Sequence, residues 1–154
     1  MERRALLSIC RIGPVASTGL LVCAMSSAPA ARAGVAISHQ WLRYVAPSVP
    51  AAGYFRLRNN SDKAVLLDGA ESSACGKLAL HESVVQNGTV RMEVVQAVSV
   101  PPGGAVNFQP GAYHLMCMSP THAVRPGQTV MVTLQFQDHS SLNSDFPVYA
   151  AKGK

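Results

Sequence analysis

Hydrophobic and polar residues alternate in short runs from about residue 34 onward, and no segment keeps a helical period over a useful length. Residues 129–137 alternate most cleanly, with one side formed by Val130, Val132, Leu134 and Phe136. A period of two is typical of a strand with one buried face. Turn-forming pairs separate the runs, at Asp68-Gly69, Asn87-Gly88, Pro110-Gly111 and Pro126-Gly127. The pattern predicts about seven short strands in an all-β antiparallel sandwich or small barrel.

The end of the chain predicts one more short strand, formed by Phe146 and Val148. Pro147 lies between them and has no backbone N–H to donate to a neighbouring strand. We therefore expect this strand to lie at an edge of the sheet.

Size and composition are typical of one folded domain preceded by a leader. The chain has 154 residues, of which 48% are hydrophobic and 14% are charged, so it can form a buried core. The formal net charge is +5, but the first 33 residues hold four arginines against one glutamate. The remaining residues include 9 Lys and Arg against 7 Asp and Glu, with no basic run. This balance argues against a nucleic-acid surface and against a polybasic membrane contact.

Residues 1–33 have the features of a secretory signal peptide, and residues 34–154 form the predicted mature domain. Arg3 and Arg4 precede an apolar stretch at residues 5–25. Ala31-Arg32-Ala33 is a small-residue cleavage site that would make Gly34 the first mature residue, and Ala28-Pro29-Ala30 is a competing site. We predict export to the periplasm, without stable membrane insertion once the signal peptide is removed.

Two alternatives for the leader stay open. The first is an N-terminal membrane anchor that is not cleaved. The second is a lipoprotein that is acylated at Cys23, although Val22 before it is bulkier than that processing usually accepts.

Removal of the leader leaves two cysteines, Cys75 and Cys117. An even number in an oxidising compartment favours one disulfide. Two buried free thiols are the alternative, because spacing alone does not show that the two positions face each other.

The sequence lacks the motifs of common enzymes. Pro101-Pro102-Gly103-Gly104 lies between predicted strands and no helix follows it, so it does not form a phosphate-binding loop. Glu82 and Glu93 lie on neighbouring predicted strands, but a chain with several carboxylates produces such pairs by chance. We therefore predict that the protein is not an enzyme.

Histidines and methionines form two pairs on predicted strands. A two-residue turn at Asn87-Gly88 would place Ser83 opposite Met92, so that His81 and Met92 are diagonal neighbours on one face. In the second pair, His114 and Met116 are two residues apart and project together. The Cys117 side chain then projects to the opposite face.

These four side chains are two imidazoles and two thioethers, a soft and neutral set of donors that suits Cu(I). Each residue also has an ordinary interpretation: a methionine can fill a gap in the core, and a histidine on a strand can be a hydrogen-bonded structural residue.

The spacing His81, ten residues, Met92, twenty-one residues, His114, one residue, Met116 resembles the signature of the periplasmic CuA copper chaperone family, or PCuAC family. Flanking segments are also similar to that family, namely Trp41-Leu42-Arg43, Ala51-Ala52-Gly53-Tyr54-Phe55, Leu80-His81-Glu82 and Tyr113-His114-Leu115-Met116. The resemblance covers residues 35–150. It implies a cupredoxin-like antiparallel β-sandwich that binds one Cu(I) near its surface through His81, Met92, His114 and Met116.

The resemblance also implies a partner, a copper acceptor protein that is a cytochrome oxidase subunit or an assembly factor of its CuA centre. The chain departs from the family at two places. Cys117 lies where an aliphatic residue is expected, and a reduced Cys117 turned inward could compete for copper. The residues after Phe146 contain neither His nor Met, so a second copper site on the tail is not expected.

Two other functions are compatible with the sequence. One is a blue-copper electron carrier that uses Cys117, His122 and a methionine, for which the next candidate is the distant Met131. The other is a metal-free β-sandwich that serves as an interaction module.

Overall fold

The computed structural model describes residues 34–152, and its regular elements are ten β-strands. The predicted signal peptide at residues 1–33 lies outside the described residues. No helix in the described part of the chain could cross a membrane. The strands are β1 (Val35–Arg43), β2 (Ala51–Asn59), β3 (Val65–Glu71), β4 (Cys75–Gln86), β5 (Thr89–Val94), β6 (Val98–Val100), β7 (Ala105–Phe108), β8 (Tyr113–Pro120), β9 (Thr129–Phe136) and β10 (Ser141–Tyr149).

The strands form a β-sandwich with two layers. Neighbouring strands follow the order β5-β4-β8-β2-β1-β10-β9-β3-β6, and β7 pairs with β2. Strands β5, β4, β8, β2, β1 and β7 form the layer that we call the site layer, and β10, β9, β3 and β6 form the opposite layer. The predicted all-β sandwich is confirmed.

The pairing corrects two details of the prediction. Strand β1 pairs in parallel with β10, through Leu42 with Val148 and Arg43 with Tyr149, so the sheet is mixed rather than wholly antiparallel. Strand β10 is nine residues long and lies between β1 and β9, so the expected short edge strand is wrong. Pro147 is the last residue paired with β9, and pairing with β1 starts at the next residue. The N–H that Pro147 lacks is therefore at the point where β10 changes from pairing with β9 to pairing with β1.

The core lies between the layers, where inward-facing residues of both meet. Strand β9 shows the predicted alternation, because Val130, Val132, Leu134 and Phe136 are all buried. The site layer contributes Leu42, Leu57 and Leu115 to this core, and β10 contributes Phe146; all four are fully buried. A sheet with one face against this core leaves its other face available for a site.

Cys75 and Cys117 are joined by a disulfide, as the even cysteine count favoured. The bond links the first residue of β4 to the centre of the neighbouring strand β8. Cys117 is fully buried on the core side. The disulfide therefore ties together the two strands that carry both histidines of the predicted metal site.

Candidate metal centre

The β4–β5 hairpin has the predicted register. Gln86 pairs with Thr89 and Ser83 pairs with Met92. Asn87 and Gly88 have φ angles of 52° and 75°, and positive φ at both central residues is what a tight two-residue hairpin turn requires. The local turn chemistry therefore sets the diagonal relation of Met92 to His81.

Strand β8 brings the second pair beside the first. His81 is the direct cross-strand partner of His114, and Ala79 is the partner of Met116. Residues opposite each other in an antiparallel pair lie on the same face, so all four predicted donors project from the outer face of the site layer. The two imidazole rings have centroids 5.8 Å apart.

The four side chains differ in their exposure to solvent. His114 is 3% exposed and His81 is 9% exposed, whereas Met92 is 60% exposed. A groove of about 270 Å³ is bordered by His114, Met116 and Met92, together with Ser83 and Val90 of the hairpin. His81 is not part of its lining. The structure thus brings the donors onto one face, with Met92 at the surface and the histidines beneath.

Three imidazole nitrogens are buried without a hydrogen-bond partner: Nδ1 and Nε2 of His81 and Nε2 of His114. The fourth, Nδ1 of His114, lies 3.0 Å from the carbonyl oxygen of Ala112. Because a carbonyl only accepts, Nδ1 of His114 is the donor in this contact, and in the neutral ring Nε2 then keeps a lone pair. A metal-binding histidine commonly has this arrangement, with one nitrogen oriented by a carbonyl and the other free to bind.

Burial, which disfavours the charged imidazole, lowers the pKa of His81, and the nearby His114 and Lys77 add to this effect. A neutral imidazole is the form that binds a metal ion. Burial also raises the pKa of Tyr54, while Arg43 opposes that change. The environment thus favours the neutral forms of His81 and Tyr54.

Arg43 and Tyr54 border the same groove and were not predicted as site residues. Tyr54 contacts the ring of Trp41, with centroids 5.0 Å apart. Nε of Arg43 is buried without a hydrogen-bond partner. The sequence offered a weak signal for both, since they fall in the flanking segments that resemble the PCuAC family.

The chemistry of the face is soft rather than hard. Within residues 34–152 no group of three or more His, Cys, Asp or Glu side chains is placed to hold a metal ion. Two imidazoles and two thioethers are instead the donors expected for Cu(I).

The structure does not support the blue-copper alternative. Cys117 is in the disulfide and has no thiolate to offer, and its side chain lies on the core side of β8. Met131 is on β9 in the opposite layer. The disulfide likewise removes Cys117 as a competitor for copper.

Comparison with known proteins agrees with the fold. The chain superposes on the copper-bound PCuAC domain from PmoF2 with a TM-score of 0.65 and 22% identity, covering 80% of this chain and 99% of that domain. Cu(I)-DR1885 from Deinococcus radiodurans gives a TM-score of 0.62 and 27% identity, covering 77% of this chain and 80% of that one. The fold is therefore that of a PCuAC domain.

The family is shown at the sequence level. The model of the family described as "Putative lipoprotein LpqE-like" matches residues 35–148, and the chain belongs to this LpqE-like family. "Putative lipoprotein Lxx21020" of Leifsonia xyli subsp. xyli is 33% identical over 116 residues, which are 75% of this chain and 69% of that protein. "Uncharacterized protein RP573" of Rickettsia prowazekii is 28% identical over 91 residues, which are 58% of this chain and 50% of that protein.

Proposed function

We propose that this protein is an exported Cu(I) carrier that holds its cargo through His81, Met92, His114 and Met116. The observation that carries the proposal is the pair of adjacent buried histidines, with three unpartnered nitrogens, on the same face of the sheet as two thioethers. Burying polar nitrogens without partners costs free energy, and a bound metal ion compensates for that cost. The resemblance to the Cu(I) form of DR1885 supports the choice of metal.

The exposure of Met92 supports a carrier rather than a store. A store would bury all its ligands, whereas here one thioether is 60% exposed at the rim of the groove. Thioethers are neutral and weak ligands, so the thiolate of an incoming partner can displace them one at a time. The protein then acts by binding and release and performs no catalytic step of its own.

The acceptor in this proposal is the CuA centre of cytochrome oxidase, reached directly or through an assembly factor, and the compartment is the periplasm. The resemblance of the spacing to the PCuAC family supports this acceptor. The leader and the disulfide support export, because disulfides persist in oxidising compartments. The mass of the natural protein distinguishes a mature chain that begins at Gly34 from one acylated at Cys23.

A titration with a Cu(I)-selective competitor tests the site. Met92→Leu and Met116→Leu keep the side-chain volume and remove the sulfur, so the fold should survive while Cu(I) affinity falls by about tenfold or more, equivalent to ~1.4 kcal/mol. Met131→Leu is a matched control, because Met131 is 59% exposed on the opposite layer and should leave the affinity unchanged. Equal affinities in all three variants would remove both thioethers from the site. Absence of any Cu(I) binding by the wild type would favour the metal-free interaction module.

The kinetics of transfer to an apo CuA domain test the carrier role. Transfer through a complex in which donor and acceptor share the copper should become faster as the acceptor concentration is raised. A fixed slow rate, set by spontaneous release of copper, would make the protein a buffer and contradict the carrier role even if the four ligands are correct.

A further inference from the structure

An exposed apolar patch lies next to the proposed copper site. We call it the hairpin patch, and it consists of Val85, Val90, Met92 and Val94, which are between 60% and 75% exposed. Val85 pairs with Val90, and Val94 pairs with His81, so the four side chains share the face that carries the copper donors. Strand β5 is at the edge of the sheet, with all six of its residues exposed.

Charged side chains are separated between the outer faces of the two layers. Those that project outward from the strands of the site layer are all cations, namely Arg43, Arg56, Arg58 and Lys77. Those that project outward from the strands of the opposite layer are all acids, namely Asp68, Glu71 and Asp145. Glu82 and Glu93 of the hairpin are cross-strand neighbours on the face turned away from the patch, and Arg91 projects from that same face. Arg43 borders the groove that includes Val90 and Met92, and Lys77 lies on the same face of β4 as His81, so these two cations adjoin the patch on the side of the copper site.

We propose that the hairpin patch, with Arg43 and Lys77 beside it, docks the copper acceptor, a protein domain that presents carboxylates around an apolar, metal-binding loop. This inference rests on the proposed function, since it assigns the partner surface of the same site. Met92 belongs both to the patch and to the donor set, so a partner seated on the patch reaches the copper directly. Opposite charges on the two surfaces accelerate encounter without producing a tight complex, as a transfer reaction requires.

The charge pattern distinguishes this occupant from two others. A second copy of the chain would bring the same cations together across a two-fold contact, which is unfavourable. An anionic lipid surface would also attract cations and apolar side chains, but it supplies no soft ligand to take the copper. A protein acceptor satisfies the charge, the apolar contact and the chemistry of release.

Paired variants test the surface with the apo CuA domain of cytochrome oxidase subunit II as the probe. Val85→Thr with Val94→Thr keeps the shape of both side chains and makes the patch polar; the second-order rate constant for copper transfer should fall by about tenfold. Met131→Thr, an equally exposed apolar position on the opposite layer, should leave that rate constant unchanged. Lys77→Gln should weaken the salt dependence of transfer, whereas Lys63→Gln, at an exposed loop position, should not.

Backbone amide chemical shifts locate the contact independently of copper. Addition of the apo CuA domain to the copper-free protein should shift resonances of β4, β5 and β8 and leave β3 and β9 unchanged. The proposal is overturned if the shifts fall on β3 and β9, or if the patch variants transfer copper as fast as wild type. It is also overturned if the patch variants abolish self-association of the protein, or if they abolish binding to anionic vesicles and not to the probe.

The failure of this inference and that of the proposed function give different results. If the wild-type protein binds no Cu(I) in the competition titration, the proposed function fails. If the wild type and the patch variants bind Cu(I) with the same affinity and also transfer it at the same rate, only the proposal of the docking surface fails.

Discussion

Removal of the disulfide in a Cys75→Ala/Cys117→Ala variant should lower the free energy of unfolding by about 4 kcal/mol. The two cysteines are 42 residues apart in sequence, and the chain-entropy relation for a closed loop of that length gives this value at 25 °C. Small domains have total stabilities of only about 5–15 kcal/mol, so the loss is a large part of the total.

Urea unfolding followed by circular dichroism measures this change. With an m-value of about 2 kcal/mol/M, the midpoint should move down by about 2 M. A loss below about 1 kcal/mol would refute the reasoning, because it would show that the unfolded chain without the bond already restricts positions 75 and 117 almost as closely as the bond does.

The same variant tests the separation of the disulfide from the metal site. Cys117 is fully buried on the core side, whereas the donors His114 and Met116, which precede it along β8, project outward. At a temperature where the variant is folded, its Cu(I) affinity should therefore equal that of the wild type. The single variant Cys75→Ala is the control for competition, since a tighter Cu(I) complex in it would show that a free Cys117 thiol can reach the metal.

Three further predictions follow from individual contacts. Burial lowers the pKa of His81, so below pH ~6.5 the unfolded chain binds more protons than the folded one. The free energy of unfolding should therefore fall as the pH drops from 7 to 5, and it should fall less in His81→Gln. Urea titrations of the copper-free protein measure both. Asn59 is fully buried, donates to the carbonyl oxygen of Lys63 at 2.7 Å and accepts from the hydroxyl of Ser61 at 2.7 Å. Asn59→Ala should therefore lower the free energy of unfolding by about 3 kcal/mol, and a loss under ~1 kcal/mol would contradict the role of these bonds. A Cβ at Gly53 would lie 3.0 Å from Cβ of Leu115, so Gly53→Ala should lower the thermal midpoint through overpacking worth about 1–3 kcal/mol, and an unchanged midpoint would show that the core adapts.

Much of the proposed site was predictable from local sequence because its parts are local. The register of the β4–β5 hairpin follows from Asn87 and Gly88, and a one-residue slip would have moved Met92 to the other face. The common direction of His114 and Met116 follows from the two-residue period of a strand. What connected the two pairs at the sequence level was only a resemblance in spacing.

The tertiary structure decided what depends on contacts between distant segments. The alternation of β9 predicts which of its residues are buried. Only the packing of the strands shows that β10 lies between β1 and β9 and that its pairing with β1 is parallel. The alternation of a strand shows which face a side chain is on but not how deeply it is buried. Only the assembled layers therefore show that His81 and His114 are buried while Met92 is exposed.

The sequence by itself therefore determined the strand periods, the hairpin register and the identity of the donor atoms, because each depends on neighbours within a few residues. Only the tertiary structure decided which donors lie at the surface, that Arg43 and Tyr54 border the groove, and that the charged side chains projecting outward from the strands differ in sign between the two layers. The physical reason is that burial and surface potential are sums over atoms from many strands. No single segment of the chain contains that information.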